Sequence, residues 1–174
     1  SAVSALKQAG ITPDFQFSLD IHWFSQGHLE RLQLDPSIPV VDMVNDHPDK
    51  FAAFEKVLML QETGGIYPVI FKQQIPFLTP TTGNMALAFA CWCKPEQVYL
   101  FGLDFGFRKA TQTHVAESSV YHNEGEHRSV LGSGHLPVAA NFGGPDVVTQ
   151  SYFNLARARA GLPITRVATE VTVF

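Results

Sequence analysis

The stretch "LTPTTGNMALAFACWCKPEQVYLFGLDFGF", residues 78–107, decides the fold. Its residues 84–92 are almost all apolar and predict a helix that is opened by "TPTTG". The segment "EQVYLFGLD" then predicts a buried strand that ends at an acid, Asp104. In parallel α/β sheets, ligands bind at the carboxyl ends of the strands, where the following helices begin. We therefore expect the start of this helix and Asp104 to face one ligand.

The rest of the chain alternates between predicted strands and helices. This order predicts an α/β fold: a Rossmann-like, mostly parallel sheet with helices on both faces. The compact apolar run "SIPVVDMV", residues 37–44, is typical of a strand that is buried on both faces. Other predicted elements are a helix over 2–9 with a C-cap at Gly10, a helix over 47–60, a helix over 146–163 that stops at Gly161 and Pro163, and a last strand within 164–174.

Length and composition favour a single globular domain. The chain has 174 residues, of which 45% are hydrophobic and 16% charged, with a net charge of −4. Lysine and arginine are scattered, so we expect no nucleic-acid partner. No apolar run is long enough to cross a membrane, and no signal peptide is recognisable. Because the chain begins inside a predicted helix, we interpret residues 1–174 as one Rossmann-like domain cut from a longer protein.

The only cysteines, Cys91 and Cys93, flank Trp92 on the predicted helix. A C-x-C pair on a helix does not easily close a disulfide, and no further cysteine completes a metal set. This pattern indicates a reducing compartment, and we expect a cytoplasmic location.

The segment "TPTTGN" has two interpretations. Free N–H groups at a helix N-terminus attract anions, Thr81 and Thr82 add hydroxyl donors, and Gly83 lets a ligand approach the backbone. This combination suits a phosphate or a carboxylate. The alternative is ordinary N-capping by threonine, which is common. The segment is not a P-loop, because no lysine follows the glycine.

Acids follow two predicted strands, Asp20 after the first and Asp104 after "YLFGL". Such an acid can bind a ribose, hold a metal or act as a base, although it can also simply cap the next turn. Both acids are expected at the same edge of the sheet. Phe105 and Phe107 can stack on a base or fill the core, and the core is the default for either one.

Residues 105–146 are rich in Gly, His, Ser and Glu and show no periodicity, which is typical of a functional or mobile segment. His122, Glu124 and Glu126 match no strong zinc spacing, so we predict no metal site. One histidine of this segment is expected to work as a general base. Further on, Asp146 or Thr149 is predicted to cap the helix that follows.

Three segments, in this order, resemble the motility-associated-factor (Maf) flagellin glycosyltransferase family. They are "LKQAGITPDFQFSLD", "TPTTGNMALAFACWCKPEQVYLFGLDFGF…THVAESSVYH" and "NFGGPDVVTQSYFNLARARAGL". The chain is also similar to archaeal-type 6-hydroxymethylpterin diphosphokinase and, distantly, to bacterial sialyltransferases.

The resemblance implies transfer of a nonulosonic acid from a CMP-linked donor to Ser or Thr of flagellin, with no tightly bound cofactor. By this resemblance Thr81, Thr82, Gly83 and Asn84 contact the donor, Asp104 and Phe105 line its pocket, and Asp20 lies on the same rim. His114 or Tyr121 would activate the acceptor, and Asp104 is a further catalytic candidate.

Two alternatives stay open at the level of sequence. A diphosphokinase-like enzyme would move pyrophosphate from ATP to a pterin alcohol and would need Mg²⁺ held by carboxylates such as Asp20 and Asp104. A degenerate domain kept for interaction is the other alternative. It is favoured by the low charged fraction and by the expected lack of the first strand and the Gly-Pro-Ser type nucleotide loop of the family. The flanking domains of the full-length protein are expected partners in each case.

Overall fold

The structure is a computed structural model, and the residues it describes fall into two compact units. The first unit contains residues 2–19 and 34–61. The described residues of the second unit are 62–64, 74–106, 136–137, 148–165 and 170–173.

The first unit is built on a three-stranded parallel sheet in the order β1-β2-β3. The strands are β1 (Gln16–Phe17), β2 (Val40–Met43) and β3 (Val57–Leu60), and the helices are α1 (Ala2–Gln8) and α2 (Pro48–Ala52). Every residue of the central strand β2 is buried. This burial explains why its sequence is apolar apart from Asp42 and shows no alternation, as predicted for a strand that is buried on both faces.

The helix predicted over residues 47–60 is wrong in its second half. Helix α2 ends at Ala52, and residues 57–60 form strand β3, paired in register with β2. A run of four apolar residues does not distinguish a strand from a buried helix turn. Pairing with the open edge of β2, which is a tertiary interaction, decides the outcome.

A group of three charged side chains is buried beside β2. Lys50 Nζ lies 2.5 Å from Asp42 Oδ2 and also pairs with Asp46, and the side chains of all three are almost fully buried. The Asp42 Oδ2 atom is close enough for an ion pair but receives no hydrogen bond. Desolvation by burial raises the pKa of Asp42 to about 7, against the opposing effect of Lys50.

The second unit contains helices α3 (Thr82–Trp92) and α4 (Ser151–Ile164). Strand β4 (Gln97–Leu100) pairs in parallel with β7 (Glu170–Val173), and β5 (Leu136–Pro137) pairs antiparallel with β6 (Val148–Thr149). Its core is formed by Leu87 and Cys91 of α3, Val98 of β4 and Ala160 of α4. The predicted helix over 84–92 is thus confirmed within two residues, and "EQVYLFGLD" does contain a strand. The prediction that this strand is buried is wrong: Val98 is its buried residue, whereas Tyr99 and the following Phe101 are exposed.

Helix α4 begins later and ends later than predicted. Residues 148 and 149 pair with β5, and the helix runs from Ser151 through Gly161 and Pro163 to Ile164. Pro163 lies in the last turn, where it removes one backbone hydrogen bond, the one to the carbonyl four residues earlier. The cap prediction for Thr149 is wrong, since the N-cap is Gln150. Asp146 lies outside the described residues.

Two further sequence predictions can be compared with the structure. Both cysteines are free, with Cys91 buried and Cys93 exposed. None of the helices in the described parts of the chain has the length and apolar character that a bilayer crossing requires.

We expect the buried group of Asp42, Asp46 and Lys50 to make stability depend on pH. Because the pKa of Asp42 is raised on folding from 3.8 to about 7, the folded state binds more protons in this window. The free energy of unfolding should therefore fall as pH rises from about 4 to 7, by up to about 1.4 kcal/mol per pH unit. Asp42→Asn, which mimics the protonated acid, should remove this slope in urea unfolding experiments.

Lys50→Met should cost about 3–5 kcal/mol, because it leaves two buried carboxyl groups without their cation. Glu55→Gln, which changes an exposed acid of the same unit, is the control and should change stability little. A pH slope that persists in Asp42→Asn would contradict the assignment to Asp42.

Candidate functional site

The start of helix α3 is fixed by Thr81 and Asn84. The hydroxyl of Thr81 accepts a hydrogen bond from the Asn84 backbone N–H at 3.2 Å and donates one to Asn84 Oδ1 at 2.7 Å. Thr81 is therefore the N-cap, as the more ordinary interpretation of "TPTTG" predicted. Thr82, the first helical residue, is exposed.

Gly83 allows the helix to lie directly on the segment that follows β4. A Cβ atom at this position would lie 2.3 Å from Leu103 Cδ1. The absence of a side chain is therefore required by packing between α3 and Leu103, in addition to any role in ligand approach. This contact places the first turn of α3 beside Leu103 and hence beside the next residue, Asp104.

The chain turns sharply after β4. Gly102 has φ +70° and Phe105 has φ +51°, the latter in the left-handed region that costs a non-glycine residue about 1–2 kcal/mol. The turn is secured by Thr149, whose Oγ1 donates to the Phe105 carbonyl at 2.6 Å. The Phe105 side chain packs against the core of the unit, while Asp104 is exposed.

Helices α3 and α4 run in the same direction. Asn84 Nδ2, in the first turn of α3, donates to the carbonyl of Ala156 in the second turn of α4 at 2.8 Å, and the Tyr152 hydroxyl donates to the Pro80 carbonyl. Further along both helices, Cys91 and Ala160 belong to the same core. Both N-termini therefore lie at the same edge as the carboxyl end of β4, which is where the sequence analysis predicted a ligand site.

The loop before α3 is held by an ion pair. Thr79 Oγ1 donates to Glu62 Oε2 at 2.7 Å, and the other carboxylate oxygen of Glu62 pairs with Arg159 of α4. The Thr79–Pro80 peptide bond is cis. The hydrogen bonds from Thr79 to Glu62 and from Tyr152 to the Pro80 carbonyl hold this loop from two sides. The shape of the loop therefore does not depend on a bound ligand.

The start of α4 differs from that of α3. Its N-cap residue, Gln150, makes no side-chain capping bond, although the residue is only 3% exposed. The Nε2 atom of Gln150 is buried and has no hydrogen-bond partner among the residues that the structure describes. A buried donor without an acceptor is rare and costs about 1–3 kcal/mol.

With this geometry established, comparison with known proteins assigns the family. A family model described as "6-hydroxymethylpterin diphosphokinase MptE-like" matches residues 1–110. The chain belongs to this MptE-like family. Among solved structures it is similar to a MAf glycosyltransferase from Magnetospirillum magneticum AMB-1, with a TM-score of 0.69 and 20% identity. No curated protein matches the sequence significantly.

The likeness to the MAf glycosyltransferase covers 98% of this chain but only 28% of that protein. It shows the α/β fold that the sequence predicted, with its three-stranded parallel sheet and helices. The MptE-like family model confirms the predicted similarity to diphosphokinase-like proteins, and the likeness to the MAf glycosyltransferase structure shows a shared fold.

The structure brings several predicted site residues of this MptE-like chain together. Thr81, Thr82, Gly83, Asp104 and Phe105 meet where α3 begins and β4 ends. The buried amide of Asn84 is engaged within the protein, so any contribution it makes to a ligand site is one of positioning. The other predicted residues, Asp20, His114 and Tyr121, lie outside the described residues, as do Phe107, His122, Glu124 and Glu126.

No metal-binding group of His, Cys, Asp or Glu is present within the residues that the structure describes. Sequence analysis missed four residues that shape this edge: Glu62, Gln150, Tyr152 and Arg159. The last three follow "VVT" in the segment 148–159. A later placement of the helix start, after "VVT" instead of at Asp146, would have put Gln150 at the N-cap and Tyr152 in the first turn.

We expect Gly83→Ala to destabilise the protein through its contact with Leu103. The new methyl group overpacks this contact, which typically costs about 1–3 kcal/mol, and the higher helix propensity of alanine offsets about 1 kcal/mol of that cost. In a Leu103→Ala background, the same substitution should become stabilising. A double-mutant cycle by urea unfolding measures this coupling, and equal effects in both backgrounds would contradict it.

Proposed function

We propose that this chain is a glycosyltransferase domain that binds a nucleotide-activated donor where α3 begins and β4 ends. The observation that supports this is the contact of Gly83 with Leu103, which holds the exposed Asp104 beside the exposed Thr82 and the N-terminus of α3. The helix N-terminus suits a phosphate, and a carboxylate at a strand end suits a ribose hydroxyl.

The donor that fits the proposal is a CMP-linked nonulosonic acid, and the acceptor is a Ser or Thr hydroxyl of flagellin. In the transfer, the bond between the sugar and the CMP phosphate breaks, and the acceptor oxygen forms the new bond to the sugar. The N-terminus of α3 would stabilise the charge that develops on the departing phosphate. Asp104, His114 or Tyr121 would take the proton from the acceptor hydroxyl.

A second candidate function is favoured by the family model, whose description names a 6-hydroxymethylpterin diphosphokinase. This enzyme class would use the same edge to hold ATP. Asp104, together with Asp20, would then hold Mg²⁺ on the phosphates and would not contact a ribose. The two functions differ in the nucleotide and in the need for metal.

The first test measures nucleotide binding by calorimetry. We expect the double variant Thr82→Val, Asp104→Asn to weaken CMP binding at least tenfold, because it removes a hydroxyl donor and the exposed carboxylate. Glu96→Gln is the matched control: it changes an exposed acid at the opposite end of β4 and should change the affinity less than twofold. Unchanged CMP binding by the double variant would contradict the proposed site.

A second test separates the two candidate functions by thermal unfolding. A ligand that binds the folded state raises the melting temperature by mass action. We expect CMP to raise it without Mg²⁺ under the glycosyltransferase proposal. A rise only with ATP and Mg²⁺ would favour the diphosphokinase. No rise with any nucleotide would favour a domain kept for interaction.

A further inference from the structure

The start of α4 has two features that favour binding of a ligand. It is the N-terminus of a helix of 14 residues, so it carries the partial positive charge of such an end. Its N-cap side chain, Gln150, makes no capping bond, and its Nε2 atom is buried without an acceptor. The helix end and the amide are independent features, and both favour an acceptor that carries negative charge.

This position lies next to the proposed donor site. Helices α3 and α4 are parallel and in contact, and packed helices have axes about 8–10 Å apart. The turn after β4 contacts the N-terminal ends of both helices. Leu103 lies against Gly83 of α3. The Phe105 carbonyl accepts a hydrogen bond from Thr149, which precedes the N-cap residue of α4. A ligand with two anionic groups several ångströms apart can therefore reach both helix N-termini.

A purely structural role does not account for Gln150. Serine, threonine, aspartate and asparagine are the residues that cap helices well, and glutamine is not among them. Where α3 has such a residue, Thr81, its hydroxyl makes the expected bond to the Asn84 backbone N–H. Leaving the Gln150 donor buried and unpaired costs stability, and a ligand oxyanion would remove that cost.

We propose that Gln150 and the N-terminus of α4 form a second oxyanion subsite, which binds the second anionic group of the ligand held at the N-terminus of α3. This inference rests on the proposed function for the nature of the ligand. The shared chemistry is an oxyanion: the carboxylate of an acidic sugar or a second phosphate of a nucleotide. Gln150 is thus a specificity-determining residue that distinguishes ligands with two anionic groups from those with one.

The first experiment compares CMP, CDP and CMP-N-acetylneuraminic acid by calorimetry. CDP and CMP-N-acetylneuraminic acid each carry a second anionic group. At least one of them should bind to the wild-type chain ten or more times as tightly as CMP. Gln150→Met should lose most of this gain and change CMP affinity less than about twofold. A gain with the acidic sugar alone identifies a carboxylate, and a gain with CDP alone identifies a phosphate.

Two further variants guard against loss of folding. Gln150→Glu places a negative charge at the helix N-terminus, which favours the helix but repels an anion, so it should fold and lose the same gain. Gln61→Met changes a buried glutamine of the first unit and should leave all three affinities unchanged. Equal weakening of CMP and the other two ligands by Gln150→Met, or no effect on any of them, would overturn the subsite.

The second experiment does not depend on the nucleotide. Inorganic phosphate is titrated into the protein while NMR follows the Gln150 side-chain amide and the Ser151 backbone amide. Both signals should shift with saturation, and the Ser151 backbone amide should not shift in Gln150→Glu, which has no side-chain amide at this position. If no nucleotide binds but phosphate gives this result, the donor proposal fails and the subsite stands. If phosphate leaves both signals unmoved, the subsite is overturned.

Discussion

The arrangement of the second unit depends on one buried amide. Asn84 is 1% exposed, and its side chain accepts a hydrogen bond from Thr81 and donates one to the Ala156 carbonyl. It therefore joins the first turn of α3 to the second turn of α4, and this bond sets the two helices side by side. A buried amide is costly to leave unpaired, so sliding of either helix along the other is opposed. Each feature at this edge follows from that alignment.

The edge combines fixed and exposed groups in a way that suits ligand binding. The loop residue Thr79 is held by Glu62, and the turn at Phe105 is held by Thr149. Thr82 and Asp104 are exposed between these fixed points. Because the backbone is already held in place, a ligand that binds here would lose little free energy to ordering the protein, which is the main advantage of preorganisation.

The sequence predicted much of this edge but not its internal bonds. Helix α3 and strand β4 follow from their apolar runs and from the residues that flank them, and the rule for parallel sheets predicted that their ends lie together. The packing of Leu103 on Gly83, and the bond from Thr149 to Phe105, depend on tertiary contact and leave no local pattern. The misassigned residues 57–60 and the late start of α4 have the same cause, since pairing with β2 and β5 overrode local preference. Nor does composition reveal that Lys50 is buried between two acids.

The bond between Thr149 and the Phe105 carbonyl joins residues 44 positions apart. It joins the two ends of the long chain segment between Phe105 and Thr149, next to the candidate site. The entropy of closing such a segment grows slowly, by about 0.6 kcal/mol for each doubling of its length. A change in the number of residues between these two positions therefore costs little closure entropy. The length of the chain between Phe105 and Thr149 can therefore change during evolution while the bond that holds the turn after β4 is kept.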